Sequence, residues 1–350
     1  MPHRNPIPLA IAAAGLACAA VSEVKLGDGP FNASADASSD TTAVGDAPDD
    51  VLPESADDAL VNASDGAPTD ADADACSNAL DPACAPFGAP ELIEELSSGP
   101  DNGYDENPTL TSDMLEIYFS STRDGGPGHG DVWRSVRDSG DAAWSPPTLV
   151  ENVSSSSKET SPAVTFDGLH LYVGSDRDGG QGGLDIWMSS RPDLSSDWPP
   201  PAPVSELNSP GDEIPRPLGD DSLAMPMSYR ASSSVEYQIY MTYRTSATTT
   251  WTAPALLPWA DTSNLDVDGF LSDDALSFAF SSDRLNGSGL QDLFFASLPG
   301  PLVWSGTPVP LTTLNTAAYN EADPWLSPDL HDIYFSSNRS GTPRIYHATR

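Results

Sequence analysis

The sequence predicts an all-β chain whose folded part is a single five-bladed β-propeller of four-stranded antiparallel blades, preceded by a long acidic tether. Three observations predict it. The stretch "IYFSSTRDGGPGHGDVW" (Ile117–Trp133) recurs as "LYVGSDRDGGQGGLDIW" (Leu171–Trp187), "FAFSSDRLNGSGLQDLF" (Phe278–Phe294) and "IYFSSNRSGTPRIY" (Ile333–Tyr346). Its arginine falls at Arg123, Arg177, Arg230, Arg284 and Arg339, in steps of 54, 53, 54 and 55 residues. Finally, "FGAPELIEELSS" (Phe87–Ser98) matches "WSPPTLVENVSS" (Trp144–Ser155) place for place, so the segment that the last repeat lacks stands at the front of the first.

Along the chain, residues 1–20 read as an export signal: His3 and Arg4 precede a short apolar run with a small-residue end. That run is too short to span a bilayer. "GLAC" (Gly15–Cys18) resembles a bacterial lipobox in which Cys18 would carry a lipid, with Gly15 where Leu is usual; cleavage near Ala19 or Ala20 is the alternative. Residues 21–86 are rich in Asp, Ala and Ser and almost free of aromatics, a composition that cannot bury enough apolar surface to offset its ordering entropy. The expectation is a disordered, solvated tether. Cys76 and Cys84 lie close together within it and, in an exported chain, suggest a local disulfide.

Within residues 87–350 each repeat reads as four short strands. "PTLT" leads to a turn at Ser112-Asp113, then come "LEIYFSS", the glycine loop, "DVWRSVR", another turn and "WSPPTLVENV". Alternating apolar residues, aromatic enrichment and Gly/Pro/Asp punctuation favour strands over helices. The turn aspartates recur at Asp113, Asp167, Asp221, Asp274 and Asp329. Pairing Phe87–Ser98 with the last repeat would close the ring and remove its exposed sheet edges. The third repeat departs most: Pro226 lies inside its second strand, the double glycine is missing, and Gln238 stands where Asp131 and Asp185 stand.

The pattern P-x-x-S-x-D … IYFSS-x-R-GG-x-G-x-x-DIW resembles the TolB-type, WD-like β-propeller repeat of bacterial envelope proteins, over roughly 87–350. The resemblance implies a binding platform in the periplasm or at the outer membrane, and names no ligand. Such propellers also serve as accessory domains of enzymes.

Eight residues before each turn aspartate lies an acid: Asp105, Glu159, Glu213, Asp266 and Glu321. At the channel end of each first strand these would gather on one face with the five arginines and the loop-end acids Asp131, Asp185 and Asp292. Two readings compete. The acids pair with the arginines as a structural belt, for which the planar fork of Arg is suited. Alternatively, surplus carboxylates bind a cation such as Ca²⁺, or a basic or polyhydroxylated ligand. The glycine loops run strand to strand with no helix N-terminus behind them, which removes the donor array of a phosphate site; positive φ in a tight connection is the plainer reading. Trp144, Trp198, Trp251 and Trp304 open the outer strands and are expected to pack between blades, while Trp133, Trp187, Tyr240, Phe294 and Tyr346 belong to the core.

Charge limits the partners. Lys and Arg number 15 against 52 Asp and Glu, a formal charge of −37. Nucleic acid, whose binding depends on cationic neutralisation of phosphates, is therefore excluded, as are anionic membrane surfaces except through a lipid on Cys18. None of the five histidines, His3, His129, His170, His331 and His347, recurs between repeats, and no G-x-S-x-G elbow is present. The expectation is a monomeric, non-catalytic binding or scaffolding module for an envelope protein or glycan, without an obligate cofactor. The alternative is a carbohydrate-active hydrolase or lyase using channel-mouth carboxylates.

Overall fold

The computed structural model describes residues 85–99, 103–219, 222–260, 262–284, 287–288 and 290–350. Residues 1–84, which hold the expected export signal with Cys18 and all but the last two residues of the expected tether with Cys76 and Cys84, lie outside the described residues, as does Asp221.

The chain enters through β1 (Glu91–Leu92) and a single 3-10 turn at Glu94–Leu96. The first blade follows as β2 (Asp105–Leu110), β3 (Glu116–Ser121), β4 (Asp131–Val136) and β5 (Thr148–Leu149). The second comprises β6 (Glu159–Val164), β7 (His170–Ser175), β8 (Asp185–Ser190) and β9 (Ala202–Pro203). The third has β10 (Asp212–Pro215), β11 (Ala224–Arg230), β12 (Gln238–Tyr243) and β13 (Ala255–Leu256). The fourth has β14 (Asp266–Leu271), β15 (Ser277–Ser282), β16 (Asp292–Ser297) and β17 (Val309–Pro310). The last holds β18 (Glu321–Leu326), β19 (Asp332–Ser337) and β20 (Arg344–Thr349). Its outer strand is β1, antiparallel to β20 with Glu91 opposite His347 and Leu92 opposite Tyr346. Five four-stranded sheets thus form one ring closed by the N-terminal strand.

The physical reason for the ring is visible in the second strands. Every residue of β3 and of β15 is buried, because each blade presents apolar side chains to both neighbours. The outer-strand tryptophans seal these contacts. Trp198 of the second blade meets Tyr118 of the first edge-on at 6.0 Å and donates its indole N–H to the tyrosine oxygen at 3.1 Å; Trp251 of the third meets Tyr172 of the second in the same way at 6.3 Å. Arginines cover three of these indoles, with Arg137, Arg191 and Arg244 at 4.4–4.5 Å from Trp144, Trp198 and Trp251.

The turn aspartates act locally. Asp167 accepts from the Thr165 hydroxyl at 2.6 Å and from the Leu169 amide at 3.0 Å, closing the turn between β6 and β7. Asp113, Asp274 and Asp329 do the same in the first, fourth and fifth blades. Pro226 does not interrupt the third sheet, where it lies opposite Met241 in β12. The irregularity sits in the first strand instead: four blades carry a bulge there, and β10 pairs with β11 without one.

Candidate functional site

At the start of each first strand, the rim acid stands opposite the end of the second strand. Asp105 pairs in register with Ser121, Glu159 with Ser175, Asp266 with Ser282 and Glu321 with Ser337. Each serine donates its hydroxyl to that acid, at 2.6–3.1 Å, and the arginine two residues later folds back over both. The ion pairs are Arg123–Asp105 at 2.7 Å, Arg177–Glu159 at 2.8 Å, Arg284–Asp266 at 2.7 Å and Arg339–Glu321 at 3.0 Å. Three of these arginines also donate to a backbone carbonyl in the turn that leads from an outer strand toward the rim acid: Leu96, Val153 or Leu314. Beneath each guanidinium lies the third-strand aromatic, with Trp133, Trp187, Phe294 and Tyr346 at 5.0–5.3 Å. Arginine therefore fills a slot walled by a carboxylate, a hydroxyl, a carbonyl and a ring.

In the third blade the rim carboxylate remains, but the serine is replaced and the arginine is elsewhere. Glu213 stands opposite Tyr229, not a serine, and Arg230 follows one residue later instead of two. Arg230 pairs with Asp212 at 2.5 Å and lies over Tyr237 at 4.3 Å, so the expected equivalence with the other four arginines fails in space. Glu213 keeps the amide of Ser209 at 3.0 Å and the Ser209 hydroxyl as donors, and no described cation pairs with it. Burial raises its pKa above the ordinary glutamate value, with Asp185 and Asp212 adding to the rise and Ser209 opposing it. All five rim acids are 0–1% exposed.

The loop-end acids bind their own loops. Asp131 accepts from the Gly128 amide, and Asp185 from the amides of Gln181 and Gly182, at 3.0–3.2 Å. A Cβ on Gly126, Gly180 or Gly287 would come within 2.0–2.1 Å of the carboxylate of Asp131, Asp185 or Asp292, so these glycines permit close approach of an acid. Gln238, in the equivalent place of the third blade, donates to the Asn264 carbonyl at 2.6 Å.

A second cluster, at the centre of the ring, was not anticipated. Arg216 reaches from the third blade to the carboxylates of Asp268 and Asp323 in the fourth and fifth, the latter at 3.0 Å. Asp268 and Asp323, with Asn107 and Ser161, hold left-handed backbone at φ 50–60°, a strained conformation for such residues. Glu106 is nearby, and its pKa is pushed up to about 8 by burial and by the charges of Asp323 and Asp268. The cavity bounded by Asn107, Arg216, Asp268 and Asp323 is about 10 Å³, room for about one water. The sequence did carry a signal: a polar residue before Pro or Gly, two positions after the rim acid, at Asn107, Ser161, Asp268 and Asp323. Arg216, unrepeated, carried none.

Among the described residues, no group of three His, Cys, Asp or Glu is placed to hold a metal ion. The histidines are scattered: His170 meets Ser190 at 2.8 Å and His347 meets Asp332 at 2.7 Å, in different blades. No described helix is long and apolar enough to cross a membrane.

The sequence matches no family model and no curated protein. Among solved structures, the chain is similar to TolB from Acinetobacter baumannii at 15% identity and TM-score 0.43, over 71% of this chain and 55% of that one. It thus spans about half the length of that protein. It is also similar to a putative TolB from Agrobacterium tumefaciens, at 12% identity and TM-score 0.44, over 74% of this chain and 82% of that chain. An endo-arabinase from Bacteroides thetaiotaomicron gives 13% identity and TM-score 0.47, over 75% and 97%. Values of this size select neither a family nor an activity, and the five-bladed architecture stands on the strand order of the chain itself.

Proposed function

We propose that the ring is a non-catalytic binding module, exported to the cell envelope and held there through its N-terminal segment, which presents the rim-acid end of the blades to a protein ligand. One observation carries this reading: four of the five rim carboxylates are already engaged by their own arginines. A glycoside hydrolase needs two carboxyl groups flanking an accessible glycosidic bond. At the centre of this ring the acids are spanned by Arg216 around a cavity of about 10 Å³, which admits no sugar ring.

A second reading, a carbohydrate-active hydrolase, is favoured by Glu106, whose raised pKa of about 8 would suit a general acid. The two readings part on turnover. The full chain is assayed against aryl arabinofuranosides, aryl xylosides and the matching oligosaccharides, beside affinity capture from envelope extract with the tether present. The binding module gives specific capture and no hydrolysis above that of the Glu106→Gln variant. Hydrolysis that vanishes in Glu106→Gln would replace it with the enzyme.

A further inference from the structure

The slot beside Glu213 differs from its four counterparts in two respects: its cation is missing, and Tyr229 stands where they have a serine. The carboxylate, carbonyl and ring walls are in place. The Leu207 carbonyl holds the position of the Leu96, Val153 and Leu314 carbonyls: each of these residues closes the turn after an outer strand by donating its amide to the carbonyl three residues earlier, of Val204, Ile93, Val150 or Leu311. Tyr240 occupies the place of Trp133, Trp187, Phe294 and Tyr346, as its register opposite Met227 shows. Where the arginine would lie there is a cleft of about 400 Å³, lined by Glu213, Leu207, Ser209, Tyr229, Tyr240 and Glu206. Its size falls in the range of ligand pockets, and the carboxylate in its wall is 1% exposed.

We propose that this cleft binds the guanidinium group of an arginine side chain supplied by a protein ligand. The inference rests on the binding-module reading and gives that module its partner chemistry. A planar fork of N–H donors can meet a carboxylate and a carbonyl at once, which a point charge such as an ammonium cannot do as well. Tyr229 and Tyr240, a T-shaped pair with ring centroids 4.9 Å apart, both line the cleft and supply aromatic surface for a cation. Asp185 and Asp212 add negative potential at Glu213. Beyond the site, residues 87–350 carry 37 acids against 13 bases, a field that draws a basic segment toward the ring. An incoming arginine would complete in the third blade the arrangement that the chain completes for itself in the other four.

The test is a titration of the full chain, followed by NMR, with N-acetyl-arginine amide, its lysine and citrulline counterparts, and the peptide Gly-Gly-Arg-Gly-Gly. Citrulline keeps the shape of arginine and lacks the charge. The arginine probes should bind, the peptide most tightly, with lysine weaker and citrulline weaker by at least tenfold. Glu213→Gln should weaken the arginine probes by at least tenfold while leaving the melting temperature at or above that of the parent. In a second variant, Tyr229→Ser with Ala231→Arg, the serine and the two-residue spacing of the other blades are restored, so the chain's own guanidinium should occupy the slot and abolish binding. Equal binding of citrulline, binding undiminished in Glu213→Gln, or binding retained in the refilled variant overturns the site. Equal affinity for the free amide and the peptide overturns the protein ligand. The module itself fails separately: specific capture from envelope extract that Glu213→Gln leaves intact preserves the module and removes this site, whereas hydrolysis lost in Glu106→Gln removes the module even if arginine binds.

Discussion

In the second blade Glu159 is met at once by Arg177, Ser175 and the Ser155 amide and hydroxyl, whereas in the third Glu213 keeps only Ser209 and its nearest arginine turns away to Asp212. Both acids lie eight residues before a turn aspartate, Glu159 as the first residue of β6 and Glu213 as the second of β10, and both are buried. Two neighbouring changes at the end of the second strand make the difference: Tyr229 replaces the serine, and the arginine follows one residue later instead of two, as the last residue of β11. A guanidinium displaced by one residue emerges on the other side of an extended strand, and Glu213 loses its internal cation. On the proposed reading, a repeat scaffold acquires a site by leaving out an internal partner, with the carboxylate, carbonyl and ring of the site already specified by the other copies.

The comparison is broken most forcefully by removing an arginine on each side of it. Arg177→Ala strands the buried Glu159 carboxylate and should cost about 3–5 kcal/mol in chemical denaturation. Arg230→Ala removes a pair whose side chains are 29% and 15% exposed, and should cost about 1 kcal/mol or less. Equal losses would mean that the two pairs are alike and that the third slot is not special. The next largest effect comes from the loop. Gly180→Ala drives a methyl into the Asp185 carboxylate and should cost about 2 kcal/mol, while Ser233→Ala in the glycine-free loop of the third blade should stay within about 0.5 kcal/mol of the parent. A harmless Gly180→Ala would show that the acid can shift, and that the loop is not held by it.

Much of this organisation could be read from the chain before any coordinates. The five-fold spacing of arginines and turn aspartates gave the blade count, and the match of Phe87–Ser98 to Trp144–Ser155 gave the closing strand, since each strand type needs its own residues at fixed offsets. The belt of acid–arginine pairs was visible as one of two readings. The slip at Arg230 was hidden because its step of 53 residues lies inside the ordinary scatter of the repeat, and spacing along a chain does not report which side of a strand a residue leaves from. The central cluster was hidden for a different reason. Arg216 has no counterpart in the other blades, and its partners Asp268 and Asp323 come together only when the ring closes.

Refilling the third slot sharpens the comparison further. With Tyr229→Ser and Ala231→Arg, the new guanidinium gains hydrogen bonds to a charged group, worth about 1.5–3 kcal/mol, against roughly 2 kcal/mol of side-chain entropy at most. A net gain of about 1 kcal/mol is expected in thermal unfolding. A loss would indicate that the walls around Glu213 are not those of the other blades.

The smallest effect is a pH dependence confined to one carboxyl group. Burial holds the pKa of Glu213 above the ordinary glutamate value in the folded chain. A carboxyl raised on folding keeps its proton longer in the native state, so its contribution is fully present below the ordinary value and is lost as pH rises through the raised one. Glu213→Gln keeps a neutral group at every pH. Its melting temperature, taken as a difference from the parent to cancel the repulsion common to so acidic a chain, should therefore rise as pH goes from 4 to 7. Glu106→Gln should behave alike with the change extending to about pH 8, but it does not touch the cleft. Adding N-acetyl-arginine amide separates the two, because the ligand favours the Glu213 carboxylate and should raise the parent toward Glu213→Gln while leaving the Glu106→Gln difference in place. Parallel curves for parent and Glu213→Gln across the range would mean that the carboxylate already has a cation, and that the third slot is closed like the rest.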